Sequence, residues 1–164
     1  MFQKHAQTKF QYSKISVSLR SAKYVISGMV PVVGGIVSGN IVNKKLYITG
    51  GIGATASGEA FGPNYYLPNM SAYCETCAAI GNVYVNHRLF LLHGESKYYD
   101  VLERSLYNGL ISGVSLDGGK FFYPNPLESM GQHQRQAWFG CACCPSNISR
   151  FVPSLPGYVY AVKD

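Results

Sequence analysis

The sequence predicts a mainly α-helical domain with one short β-hairpin and the start of a strand at its C-terminal end. Three observations lead there. Apolar residues recur at helical spacing in two long runs. Asp117-Gly118 separates two short apolar runs, the pattern of a tight turn between strands. Pro145 stands where a third helical run opens, a position that suits proline in a first turn. With 164 residues, 47% of them apolar, the chain has the size of one ordinary domain and can bury a core.

The elements follow in chain order. Asn40 to Ile48 reads as a short helix or the end of one, stopped by Thr49-Gly50-Gly51. Two glycine-framed stretches, Gly50-Gly51-Ile52-Gly53 and Gly58-Glu59-Ala60-Phe61-Gly62-Pro63, bound a long loop. Asn69 or Ser71 can cap a helix that runs to about Leu92 and ends at His93-Gly94. Its buried candidates include Ala72, Ala79, Val83, Leu89 and Phe90. A second helix is expected over Ser96–Leu110, with Val101, Leu102, Leu106 and Leu110 on one face. Residues 114–123 form the expected hairpin. A third helix opens around Pro145, passes Ile148 and Phe151, and breaks at Pro153 or Pro156. Tyr158 to Val162 alternates like the start of a strand.

Charge divides the chain unevenly. Residues 1–37 hold Lys4, Lys9, Lys14, Arg20 and Lys23 and no acid, whereas residues 38–164 hold nine bases and eight acids. The first 37 residues therefore read as an atypical basic segment whose folding is left open. The body is nearly neutral and has no Lys/Arg stripe interleaved with aromatics, which argues against nucleic-acid binding. No apolar run reaches 18 residues, so no membrane span is expected. The apolar stretch Tyr24–Val37 loosely imitates a signal or transit peptide but lacks a clear small-residue cleavage site, and a cytoplasmic location is expected. The thirteen tyrosines would suit a groove for a sugar, although most are expected simply to fill half-buried positions.

Five cysteines carry the chemistry. They fall in two clusters, Cys74-Glu75-Thr76-Cys77 and Cys141-Ala142-Cys143-Cys144-Pro145. An odd count and an adjacent pair disfavour a secreted disulfide framework and favour metal or catalytic use in a reduced compartment. Helix opening at Pro145 puts Cys143 and Cys144 at a helix N-terminus, where unpaired N–H groups and the dipole stabilise thiolate. Zinc takes four ligands from sulfur, nitrogen and carboxylate. On pattern alone Cys74 and Cys77 are the natural upstream claw. Glu75 and Cys77 point to different sides of a regular helix and can share a metal only at a helix start or in a turn, so the choice stays open. Glu59, between glycines and beside Phe61, stands in a setting that suits a general acid, although an exposed loop glutamate fits equally well. His133 reads as part of a solvated polar loop, and His87 and His93 read as structural.

The chain resembles glycoside hydrolase family 127, the β-L-arabinofuranosidases. The matching pieces include Asn43–Gly53, Gly58–Pro63, Leu67-Pro68-Asn69, Tyr73–Cys77, Phe122–Glu128 and Trp138–Pro145, over about residues 40–162. The resemblance implies a retaining glycosidase acting on terminal β-L-arabinofuranosides. It assigns Cys143 as nucleophile, Glu59 as acid/base, and Glu75, Cys77, Cys143 and Cys144 as zinc ligands, with Tyr123 near the sugar. It also implies a barrel of paired helices followed by β-sandwich domains. Such a barrel needs on the order of 200 residues. The chain is therefore expected to be a fragment: residues 38–156 a partial α/α barrel from the C-terminal part of the catalytic domain, and residues 157–164 the start of a β-domain. A homo-oligomer is left open. The rival reading is a zinc-binding structural or interaction module, or an inactive remnant of such an enzyme.

Overall fold

A computed structural model describes residues 30–159. The expectations for residues 1–29 and 160–164 lie outside the described residues. Helix α1 spans Val30–Lys44, α2 Thr76–His93, α3 Ser96–Arg104, α4 Cys143–Phe151 and α5 Pro156–Val159. The helical path of α3 continues as a π-helix over Ser105–Leu110 and a 3-10 turn over Ile111–Gly113. A 3-10 turn at Ser57–Glu59 lies in the long loop, and another at Val152–Ser154 follows α4.

The core forms where the apolar faces of these helices meet. Ala79, Ile80 and Val83 of α2 pack on Leu102 of α3, on Leu106 and Leu110 of the π-helix, and on Phe151 of α4. Burying Phe, Leu, Ile and Val side chains stabilises by about 1.5–3 kcal/mol each. The helix α2 ends at Gly94, which takes the left-handed conformation (φ 66°) and donates its N–H to Phe90 O at 2.7 Å. The chain turns back there, so that Phe90 meets Tyr99 and Asn82 meets Ser105 in an antiparallel pair.

A buried polar clamp fastens the Gly50-Gly51 turn to this helix pair. Ser105 Oγ donates to Gly50 O at 2.9 Å, and Asn82 Nδ2 donates to Ser105 Oγ at 2.9 Å. Gly50 has φ 82°, and an added Cβ would sit 2.6 Å from Ser105 N, so the close approach requires glycine. The turn holds the start of the loop that carries Glu59.

Several expectations are corrected. The helix expected from Asn69 or Ser71 starts at Thr76 instead. The preceding residues are pinned to the glycine-rich loop: Tyr73 N donates to Ala54 O, and Cys74 N to Gly53 O at 2.7 Å. The hairpin over residues 114–123 keeps its Asp117-Gly118 turn, but the arms meet in one isolated bridge, Val114 to Phe121. Tyr158 and Val159 are helical, not the start of a strand. Tyr158 stacks on Phe151 at 5.2 Å, so an aromatic contact fixes it where strand pairing was expected. No helix of the described residues is long and apolar enough to cross a membrane.

Candidate metal centre and active site

Two helix N-termini converge on the cysteines. Helix α4 opens at Cys143-Cys144 with Pro145 in its first turn. Helix α2 opens at Thr76, with Glu75 as its N-terminal flanking residue in a non-helical conformation (φ −57°, ψ 139°). That departure resolves the geometry of Glu75 and Cys77. Glu75 lies outside the helix and Cys77 in its first turn, so both can face one point. The start of α2 is fixed by Thr76, whose N–H donates to Tyr123 O at 3.0 Å and whose Oγ1 donates to Phe122 O at 2.7 Å. Asn125 Nδ2 donates to Cys74 O at 2.8 Å and locks the same junction.

Glu75, Cys77, Cys143 and Cys144 offer four ligand atoms, all within 4.8 Å of one another. Cys77 Sγ is 3.4 Å from Cys144 Sγ, which is 3.8 Å from Cys143 Sγ. Glu75 Oε1 lies 3.2 Å from Cys143 Sγ and 3.7 Å from Cys144 Sγ. Corners of a zinc tetrahedron with ~2.3 Å metal–sulfur bonds are about 3.8 Å apart. The donor set could thus hold a tetrahedral thiophilic ion. Burial first, then the Glu75 and Cys77 contacts, push the Cys143 thiol up to about 12, and the neighbouring Cys77 sulfur, with burial, raises Cys144. Cys77 is shifted the other way by hydrogen bonds from Cys144 and Asn147. A divalent cation held by these four residues would favour the ionised thiols.

Cys74 stands apart from this cluster. It is 2% exposed, packed with Tyr47, Ala54 and Ala72, and burial pushes its thiol up to about 12. The C-x-x-C claw is therefore excluded in favour of Glu75 with Cys77. The left-handed backbone at Cys74 (φ 42°) turns its side chain into the core and lets its neighbours serve the site. Cys141 is exposed and lies outside the donor set; the N–H and thiol of Cys143 lower its pKa. His133 stacks on Phe122 at 4.5 Å and faces Pro124 O, His87 meets Tyr158 edge-on, and His93 packs on Tyr98. None of the three is in the cluster.

Glu59 is brought to the same place from the opposite side. It ends the 3-10 turn with φ 49°, is exposed, and follows Gly58 at φ 70°. Its loop closes through the Thr55–Ala60 bridge, and Lys45 Nζ donates to Gly62 O at 2.7 Å just beyond. Tyr123 connects the halves: its Oη is 3.0 Å from Cys143 Sγ and 3.2 Å from Glu59 Oε1. The Cys143 contact, then burial, raises the Tyr123 phenol far above its usual range, so it stays protonated. Glu59, Tyr123, Glu75, Cys77, Cys143 and Cys144 form one continuous site.

Two further residues reach it that sequence reasoning did not single out. Asn147 Nδ2 donates to Cys77 Sγ at 3.1 Å. Its position one helical turn after Cys143 was the available signal. Tyr73 Oη donates to Glu59 Oε1 at 2.9 Å, and nothing in the sequence distinguished it among the tyrosines.

Comparison with known proteins agrees with this arrangement. The model of the β-L-arabinofuranosidase GH127 catalytic domain matches residues 37–157. A non-reducing end β-L-arabinofuranosidase of Bifidobacterium longum subsp. longum is 42% identical over 136 residues, 76% of this chain and 21% of that protein. A solved GH127 β-arabinofuranosidase is 79% identical with a TM-score of 0.74, over 77% of this chain and 20% of the other. A GH127 β-L-arabinofuranosidase from Geobacillus stearothermophilus T6 is 46% identical with a TM-score of 0.71, over 76% of this chain and 21% of the other. The chain thus spans about a fifth of the length of these relatives. With the match extending over most of the chain and including every residue of the site, this protein belongs to the GH127 β-L-arabinofuranosidase catalytic-domain family.

Proposed function

We propose that the site belongs to a retaining glycoside hydrolase acting on β-L-arabinofuranosides, with Cys143 as nucleophile and Glu59 as acid/base. The observation that carries this reading is Tyr123 Oη, within 3.0 Å of Cys143 Sγ and 3.2 Å of Glu59 Oε1. Two groups that share one hydrogen-bonding oxygen at these distances are at most about 6 Å apart, close to the separation a retaining mechanism uses.

The chemistry follows from the residues. Cys143 attacks the anomeric carbon and forms a thioglycosyl intermediate. Glu59 gives its proton to the leaving oxygen, then takes one from the incoming water. Tyr123 holds the sulfur and the carboxylate in register. Glu75, Cys77, Cys143 and Cys144 would hold zinc, which keeps thiolates ionised at neutral pH. In this reading α2 and α3 are one helical hairpin of an α/α barrel.

Elemental analysis of the purified chain, combined with labelling by an arabinofuranose-configured haloacetamide, tests the proposal. About one zinc per chain and a label on Cys143 are expected. Bound zinc without that label would leave a structural metal site. Absence of zinc would remove the ligand assignment.

A further inference from the structure

Tyr123 and Tyr73 serve Glu59 differently. Tyr123 Oη accepts from the Cys143 thiol at 3.0 Å and donates its one proton to Glu59 Oε1 at 3.2 Å, so its position is shared between sulfur and carboxylate. Tyr73 Oη donates to the same Glu59 Oε1 at 2.9 Å, the shorter of the two phenol contacts to that oxygen.

Glu59 needs such a partner. It is exposed, sits in the left-handed region at the end of a three-residue turn, and follows a glycine with open space around it. Neither backbone nor packing fixes its side chain. Tyr73, by contrast, is held from both sides. Its N–H donates to Ala54 O at 3.2 Å and its carbonyl accepts from Asn125 N–H at 2.9 Å. Its ring packs against Tyr123 at 6.1 Å. Both phenols address the same carboxylate oxygen, Oε1. A carboxyl group whose Oε1 only accepts must carry its acidic proton on Oε2.

We propose that Tyr73 is a positioning residue for Glu59: it anchors Oε1, so that Oε2 faces the substrate and gives and takes the catalytic proton, while Tyr123 links the same carboxylate to the Cys143 sulfur. This rests on the reading of Glu59 as acid/base and names the oxygen that does the work and the residue that selects it.

Two probes of the same sugar shape separate the possibilities. An arabinofuranose-configured cyclitol epoxide reacts with proton assistance. The Cys143 thiolate forms the S–C bond, the C–O bond breaks, and Glu59 Oε2–H protonates the ring oxygen, leaving Glu59 as carboxylate. The corresponding haloacetamide needs no proton: the S–C bond forms and halide leaves. Rates of both labels at Cys143 are read by intact mass and peptide mapping on the purified chain, wild type, Tyr73→Phe and Glu59→Gln.

Tyr73→Phe is expected to lower the epoxide rate about tenfold to hundredfold, a part of the full general-acid contribution, with the haloacetamide rate within about threefold of wild type. Glu59→Gln should lose the epoxide label more completely. Equal loss of both labels in Tyr73→Phe would make the residue merely structural and overturn the proposal. So would an unchanged epoxide rate in Tyr73→Phe alongside a depressed one in Glu59→Gln, and the acid/base reading would then survive. An unchanged epoxide rate in Glu59→Gln, or a wild-type Cys143 that takes neither probe, would sink that reading and this inference with it.

Discussion

The metal-ligand cluster and the Glu59 loop face each other across Tyr123, yet they are built in opposite ways. The cluster is drawn from two helix N-termini, and Cys144 within it is fully buried. Its four donors sit within 4.8 Å of each other. The loop has no buried residue in its 3-10 turn and two successive residues at positive φ. Its order comes from hydrogen bonds at the tip. Rigid elements suit a group that must hold one geometry. A loop suits a group that must hand a proton in two directions. The difference also predicts where stability and chemistry part company.

The largest effect should come from the cluster. Stripping the metal with a chelator, or Cys144→Ser, should lower the melting temperature by more than about 10 °C, because structural zinc supplies folding free energy directly. Calorimetry with parallel metal analysis checks this, and an unmoved transition in metal-free protein would break the contrast. Gly50→Ala comes next, at about 2–4 kcal/mol. The residue is left-handed and the new methyl meets Ser105 backbone at 2.6 Å. Denaturant unfolding measures it. Gly58→Ala imposes the same kind of strain, but the space around it is open. It should cost about 1 kcal/mol, and a cost equal to that of Gly50 would mean that the loop is as tightly packed as the helix junction. The smallest effect is expected for Glu59→Gln, with a melting temperature within about 2 °C of wild type, whatever it does to the proposed proton transfer.

Legibility followed the same divide. The apolar spacing of Val101, Leu102, Leu106 and Leu110 placed all four in the interior, and Pro145 in the first turn of α4 came from local rules alone. Local rules failed where distant segments decide. Asn69 and Ser71 are good caps, but Tyr73 and Cys74 are tied by their N–H groups to Ala54 and Gly53, so α2 waits until Thr76. Tyr158-Val159 alternates with either period, and stacking on Phe151 selects helix. Cys74 and Cys77 match the metal claw better than Glu75 does, yet a left-handed residue sends Cys74 into the core. No sequence pattern announces φ at a cysteine. Glu59 and Glu75 were candidates from the residues alone and were chosen through family resemblance, Tyr123 came from the resemblance only, and the contact of Tyr73 with Glu59 came from the geometry.

The bend at Cys74 has one more consequence. Within five residues, Tyr73 reaches the acid/base side while Glu75 and Cys77 reach the metal side. This short peptide is a ruler. Removing or inserting one residue within it would misplace both halves of the site together.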